Sequence, residues 1–178
     1  LAYMNRPYTQ ADYLGLCAGL VERIPDMTIT TDIIAGFPTE TEERFASSVF
    51  VCEEVRYRKA HVFRFSPRFG TPADQWGDPV STEEKQRRSL VLGEVSARTG
   101  VDHARRFVGR TMRVLVEGKI GRDGLMGGLT DNYLEVKFAA PASAARSFVW
   151  VRLDEEGSGT LFGEIVPEPR AQGLRVVG

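Results

Sequence analysis

Apolar residues return first with a helical period. Tyr13, Leu16, Cys17, Leu20, Val21 and Ile24 share one side of a helix that Thr9 opens as N-cap, with Asp12 three residues on. Pro25 and Asp26 end it. Over residues 27–35 the period changes to two: Ile29, Thr31 and Ile33 fall on one face of a β-branched strand, and Thr28, Thr30, Asp32 and Ile34 on the other. Gly36 and Pro38 then turn the chain. Thr39 with Glu42 predicts a capping box opening a helix over residues 40–56, whose inner stripe is Phe45, Val49, Cys52 and Val55. A second buried strand over residues 60–65 leads into Ser66-Pro67-Arg68-Phe69-Gly70-Thr71-Pro72-Ala73, a loop of turn formers and hydroxyls. The order helix, strand, helix, strand predicts parallel strands joined by a crossover. Two strands do not finish a sheet, so partner strands are expected from outside this segment.

Residues 77–80 read as a linker before a long, charged helix. Ser81 with Glu84 forms its capping box, and Leu90, Leu92, Val95, Val101 and Phe107 give an intermittent apolar face, with a kink expected at Thr99-Gly100. After Gly109 the period is two throughout. Strands are predicted over residues 111–117, 125–129, 133–138, 148–153 and 160–166, separated by Gly-, Asp- and Ser-containing turns, which is the rhythm of a small β-barrel. Within them Met112, Val114 and Val116 alternate with Arg113, Leu115 and Glu117, and Val149 and Val151 with Trp150 and Arg152. Residues 168–178 show no periodicity and predict a mobile tail.

Composition narrows this little. The 178 residues are 42% hydrophobic and 26% charged, ordinary for a globular protein, and no apolar run reaches the length of a membrane span. A cytoplasmic location is expected. The chain starts at Leu1, so a fragment is expected too. Cys17 and Cys52 sit singly in helical patterns and read as small core residues. A net charge of −1 gives no global basic field, so nucleic-acid binding would rest on a local patch.

Candidate chemistry gathers at the ends of the two strands, where parallel sheets place ligands. The strand, the Gly36 turn and the following helix start offer backbone N–H groups to an anionic or polar ligand. An acidic residue in so apolar a strand needs a partner, because burying a lone carboxylate is costly. Asp32 is therefore either hydrogen-bonded structurally or faces a ligand.

Three ordered motifs add to this: Met4-Asn5-Arg6-Pro7-Tyr8-Thr9, residues 30–38 (Thr-Thr-Asp-Ile-Ile-Ala-Gly-Phe-Pro), and residues 61–73 (His-Val-Phe-Arg-Phe-Ser-Pro-Arg-Phe-Gly-Thr-Pro-Ala). Together they resemble successive motifs of the radical S-adenosylmethionine methylthiotransferases over nearly the whole chain. The resemblance implies an α/β plus all-β architecture: the C-terminal part of a radical SAM (TIM-like) barrel over residues 1–106, then a small OB-like TRAM β-barrel that binds RNA over residues 107–167. Residues 128–136 (Gly-Leu-Thr-Asp-Asn-Tyr-Leu-Glu-Val) are most similar to the branch that modifies threonylcarbamoyladenosine next to the tRNA anticodon. That branch is the expectation, with the isopentenyladenosine and ribosomal-protein branches as alternatives. Thr39 stands where such proteins often carry Gly, and Phe65 where Tyr is common. The family's Cys-x-x-x-Cys-x-x-Cys triplet is not in this chain. The two 4Fe-4S clusters of a complete enzyme would be ligated elsewhere, and this segment alone is expected to be inactive.

The resemblance implies site residues at matching positions. Asp32, Ile34, Gly36 and Pro38 would border S-adenosylmethionine, with Gly36 permitting close backbone approach. Ser66, Arg68, Gly70 and Thr71 would line the next strand end, where Arg68 can pair with a carboxylate or phosphate. His61, Phe63 and Phe65 would form an aromatic wall, or else pack as core residues; Arg6 would reach the site or stay solvated. In the barrel, Arg110, Arg113, Lys119, Arg122, Lys137, Arg146 and Arg152 would meet tRNA phosphates while Tyr133 and Trp150 stack on bases. Interspersed acids balance these cations, so a patch requires that the two signs segregate. A non-catalytic RNA-binding module remains the alternative of a different class. An unrelated phosphate-binding α/β enzyme is disfavoured, since neither Gly-x-Gly-x-x-Gly nor a Walker pattern is present.

Overall fold

The computed structural model describes residues 1–169, apart from the side chain of Lys119, and separates into two units, Leu1–His103 and the chain from Ala104 onward. Residues 170–178, most of the expected mobile tail, lie outside the described residues. In the first unit Thr9 caps α1 (Gln10–Arg23) as its sequence predicts: its hydroxyl accepts from Asp12 N at 3.2 Å, and its own N–H donates to the Asp12 carboxylate at 2.9 Å. β1 (Thr30–Ala35) and β2 (Lys59–Arg64) pair in parallel, with Asp32 beside His61 and Ile34 beside Phe63.

The second capping box does not form. α2 (Glu42–Val55) starts at Thr41, whose hydroxyl accepts from Arg44 N at 3.3 Å. The reason is the turn before it: Glu40 N donates to Phe37 O at 2.8 Å, prolonging the turn, and the Glu40 carboxylate reaches back to Gly36 N at 2.6 Å. α3 (Thr82–Arg105) begins where Ser81 Oγ accepts from Glu84 N at 3.1 Å, and runs through Gly100 as one helix. Gly100 marks a close approach instead of a break, since a Cβ there would lie 2.6 Å from Arg58 O. Beside it Thr99 Oγ1 donates to Tyr57 O at 2.8 Å.

Ala35, Phe45, Cys52, Tyr57, Ala60, Leu92 and Val95 are buried together on one side of the β1–β2 pair. Burial of such side chains contributes roughly 1.5–3 kcal/mol for each large one. Thr30, Asp32, Ile34, Lys59, His61 and Phe63, on the other side, are all exposed, so among the described residues the sheet is covered on one face only.

The second unit is a closed barrel. β3 (Thr111–Ile120), β4 (Met126–Thr130), β5 (Glu135–Phe138), β6 (Phe148–Gly157) and β7 (Thr160–Val166) close in the order β3-β4-β5-β7-β6, with β5 and β7 parallel and the remaining pairs antiparallel. Closure removes the open strand edges that a five-stranded sheet would otherwise present. Val114, Val116, Met126, Leu134, Val136, Phe138, Val151, Leu153 and Leu161 fill its interior with Ala104 and Phe107, following the alternation in the sequence. β3 and β6 outrun their expected ends. β3 resumes its pairing with β4 at Ile120 after a register shift beyond Val116, and a second shift, between Leu153 and Glu155, accompanies the polar residues of the β6–β7 arm, which read as a turn and stay paired up to Gly157.

Candidate functional site

The first candidate site is the rim at the carboxyl ends of β1 and β2. Gly36 is buried with φ 77°, a conformation that disfavours any side chain, and a Cβ there would collide with the aliphatic stem of Lys85. This corrects the expected role: the close approach at Gly36 is made by Lys85, and its N–H donates to Glu40 and is not free for a ligand. Lys85 is itself buried on α3, where its ammonium donates to Phe65 O at 3.1 Å and pairs with Asp78. Arg88, three residues on and also buried, donates to both Glu40 O and Glu40 Oε2 at 2.9 Å and to Glu84 Oε1 at 2.7 Å. Phe37 meets Phe65 edge-on at 5.4 Å between ring centroids and Trp76 at 5.8 Å, and Trp76 meets Tyr3 at 5.6 Å.

The open sheet face places four expected residues side by side. Asp32 and His61 are exposed neighbours, so among the described residues Asp32 carries no burial cost and His61 is not a core histidine. Ile34 and Phe63, also paired, are 44% and 55% exposed; the packing alternative for Phe63 therefore fails among the described residues. The three-membered aromatic wall does not form, because Phe65 lies beyond the strand end, half-buried, with its ring against Phe37 and under the Lys85 ammonium at 5.6 Å. Pro38 is half-buried in the turn after β1, whereas Ser66, Arg68, Gly70 and Thr71 are exposed in the loop after β2. Thr71 has a structural duty there: its hydroxyl donates to Arg68 O at 2.8 Å and accepts from Asp74 N at 3.3 Å, capping the short 3-10 helix Pro72–Trp76. Arg6 is exposed.

The residues missed from the sequence are Glu40, Lys85 and Arg88. A signal existed. Lys85, Arg88, Leu92, Val95 and Thr99 recur at helical spacing and are all buried, so two cations occupy core positions of the α3 stripe.

An adenosine group needs an apolar surface for its base with polar groups beside it. Ile34 and Phe63 flanked by Asp32 and His61 fit that need as one wall. An iron–sulfur cluster does not fit this chain. Cys17 and Cys52 are buried in α1 and α2, burial with the neighbouring Glu53 charge pushes the Cys52 thiol up to about 11, and no group of three or more His, Cys, Asp or Glu among the described residues is arranged to hold a metal.

The second candidate site is the outer face of the barrel. Arg113 lies over the Phe148 ring at 4.7 Å and pairs with Asp131 at 3.0 Å. Leu115 stands beside Phe148, and half-buried Trp150 beside Arg113. The expected cations are not segregated from acids: Arg152 pairs with Asp154 at 2.9 Å and Glu164 at 2.7 Å, and Lys137 with Asp123 at 2.7 Å. Exposed pairs of this kind contribute about 0–1 kcal/mol, so each can exchange its carboxylate for a phosphate at small cost. Arg110 lies over the Phe107 ring at 5.1 Å; Arg122, Arg146 and Tyr133 are exposed, and the Lys119 side chain lies outside the described residues. Phe148, 58% exposed, was missed although strand alternation puts it on the same side as Trp150.

No family model matches the chain. Over 93% of its length it is 41% identical to a protein of Acetivibrio thermocellus, and over 95% it is 41% identical to one of Symbiobacterium thermophilum; the matches cover 35% and 36% of those proteins. A third, from Oceanobacillus iheyensis, is 37% identical over 93% of the chain and 32% of its own length. All three are tRNA-2-methylthio-N(6)-dimethylallyladenosine synthases. The chain spans about a third of the length of these curated relatives. Their names overturn the threonylcarbamoyladenosine expectation in favour of the isopentenyladenosine alternative. The structure supplies the reason that residues 128–136 misled. A Cβ on Gly128 would lie 2.7 Å from Leu115 O, and Thr130 accepts from Leu134 N at 2.9 Å and donates to Asn132 at 2.6 Å. Gly128, Thr130 and Leu134 in that segment answer to packing and turn formation in the barrel.

Proposed function

We propose that this chain is part of a tRNA methylthiotransferase that adds a methylthio group to N6-dimethylallyladenosine by radical S-adenosylmethionine chemistry. The observation that carries the proposal is similarity to synthases of that product over more than nine-tenths of the chain, across both units. In this reading residues 1–106 contribute part of a radical SAM barrel, residues 107–167 form a TRAM-like barrel that holds tRNA, and the enzyme works in the cytoplasm. Among the described residues no helix is long and apolar enough to cross a membrane.

The exposed Asp32–His61 and Ile34–Phe63 pairs support the residue roles in this reading. Ile34 and Phe63 would offer the base of S-adenosylmethionine an apolar surface, Asp32 and His61 would offer hydrogen bonds at its edge, and exposed Ser66 and Arg68 would meet its polar end from the next loop. Bound there, the cofactor would supply a radical and a methyl group; the clusters belong to residues outside this chain. On the barrel, Arg113, Phe148 and Trp150 share one face of β3 and β6 that would stack on bases, exposed Tyr133 would add a further stacking contact, and Arg110, Arg122, Lys137 and Arg152 would meet phosphates. The test is a competition in vitro. Full-length enzyme with reconstituted clusters, given equal amounts of tRNA bearing dimethylallyladenosine and tRNA bearing threonylcarbamoyladenosine, converts the first only; conversion of the second alone rejects the proposal.

A further inference from the structure

We infer that Lys85 and Arg88, three residues apart on α3, are positioning residues that set the geometry of the S-adenosylmethionine rim, one for each strand end. The inference rests on the proposed cofactor site, and neither residue reaches the open face itself. Arg88 acts on the β1 end. It grips Glu40 through the backbone carbonyl and the carboxylate, both at 2.9 Å, and the same carboxylate accepts the Gly36 N–H at 2.6 Å. Lys85 acts on the β2 end, where its ammonium donates to Phe65 O at 3.1 Å while Asp78 neutralises it. Its stem also fills the space that a side chain at position 36 would need, so the two ends are held against each other as well as against the helix.

Fold stability alone gives no reason for this arrangement. Two buried cations in an otherwise apolar stripe carry a desolvation cost that well-packed hydrophobic residues would avoid. What the charges add is direction. Both side chains end on polar groups of the 36–40 turn and of Phe65, the segments from which Pro38, Ser66 and Arg68 project. Loss of either contact frees a strand end to move, which misplaces the cofactor without opening the core of Phe45, Cys52 and Leu92.

Lys85→Met and Asp78→Asn, made in the full-length protein, test this. Asp78 is exposed enough that its replacement does not threaten folding even if Lys85→Met does. S-adenosylmethionine affinity by calorimetry falls about tenfold in each, the size of one lost charge-assisted hydrogen bond. tRNA affinity and melting temperature stay near wild type, and hydrogen exchange quickens in peptides spanning residues 36–40 and 64–68. Equal losses of cofactor and tRNA affinity would mean a merely structural role, and unchanged cofactor affinity in both variants would overturn the inference. Wild-type protein that binds no S-adenosylmethionine rejects the cofactor site instead; unchanged exchange in the two peptides then rejects the positioning role as well.

Discussion

Gly36 shows what single residues in this chain announce and what they conceal. Its place between a β-branched strand and Pro38 marks a turn, yet the partner that demands a glycine comes from Lys85, 49 positions away, and no local pattern reveals it. Gly36→Ala should cost about 1–3 kcal/mol from the strained backbone alone, with the collision against Lys85 added, as a lower midpoint in urea unfolding. Glu84 gives a pH prediction. Arg87 first, with Arg88 helping, holds its carboxyl at about 2 against an ordinary value of 4.5. A depressed carboxyl stabilises the fold above the ordinary range and loses that contribution as pH falls toward 2, so an NMR titration should find Glu84 still charged at pH 3. A midpoint near 4.5 would break the Glu84–Arg87–Arg88 network assigned here.

At the scale of elements, helices and strands were legible wherever period and cap agreed. α1 opens at Thr9 and α3 at Ser81 as their capping residues indicate, every predicted barrel strand appears, and in β3 and β6 the alternation named Val114, Val116 and Val151 on the inner face. Failures fell where a tertiary contact outweighed the local signal. Glu40 left the expected first turn of α2 to serve Gly36 and Arg88, and Gly100 lies within continuous α3 where helix and Arg58 backbone touch. α3 carries much of the first unit's order, so Leu92→Ala, at a fully buried position, should destabilise that unit by about 2–5 kcal/mol in a denaturant melt. The same change at exposed Leu90 should have an effect within about 0.5 kcal/mol.

For the whole molecule, the two-part plan of an α/β segment followed by a closed barrel could be read from the switch of period after Gly109. The substrate branch could not, since Gly128, Thr130 and Leu134 of the segment that suggested it answer to barrel packing and its turn. The proposed tRNA face was half legible: alternation names the outward residues, but only the fold pairs Arg113 with Asp131 and stacks it on Phe148. Asp131→Asn should release Arg113 and raise tRNA affinity at low salt, the gain fading as salt rises through counterion release. Phe148→Ala should lower affinity by about 1–3 kcal/mol if one base stacks there, read by fluorescence titration. The central claim, however, concerns the product. Its most direct test is mass spectrometry of nucleosides from total tRNA of cells lacking the gene that encodes this chain. The account predicts loss of 2-methylthio-N6-dimethylallyladenosine with accumulation of N6-dimethylallyladenosine and no change in threonylcarbamoyladenosine derivatives. An unchanged level of the methylthio dimethylallyl nucleoside would contradict it.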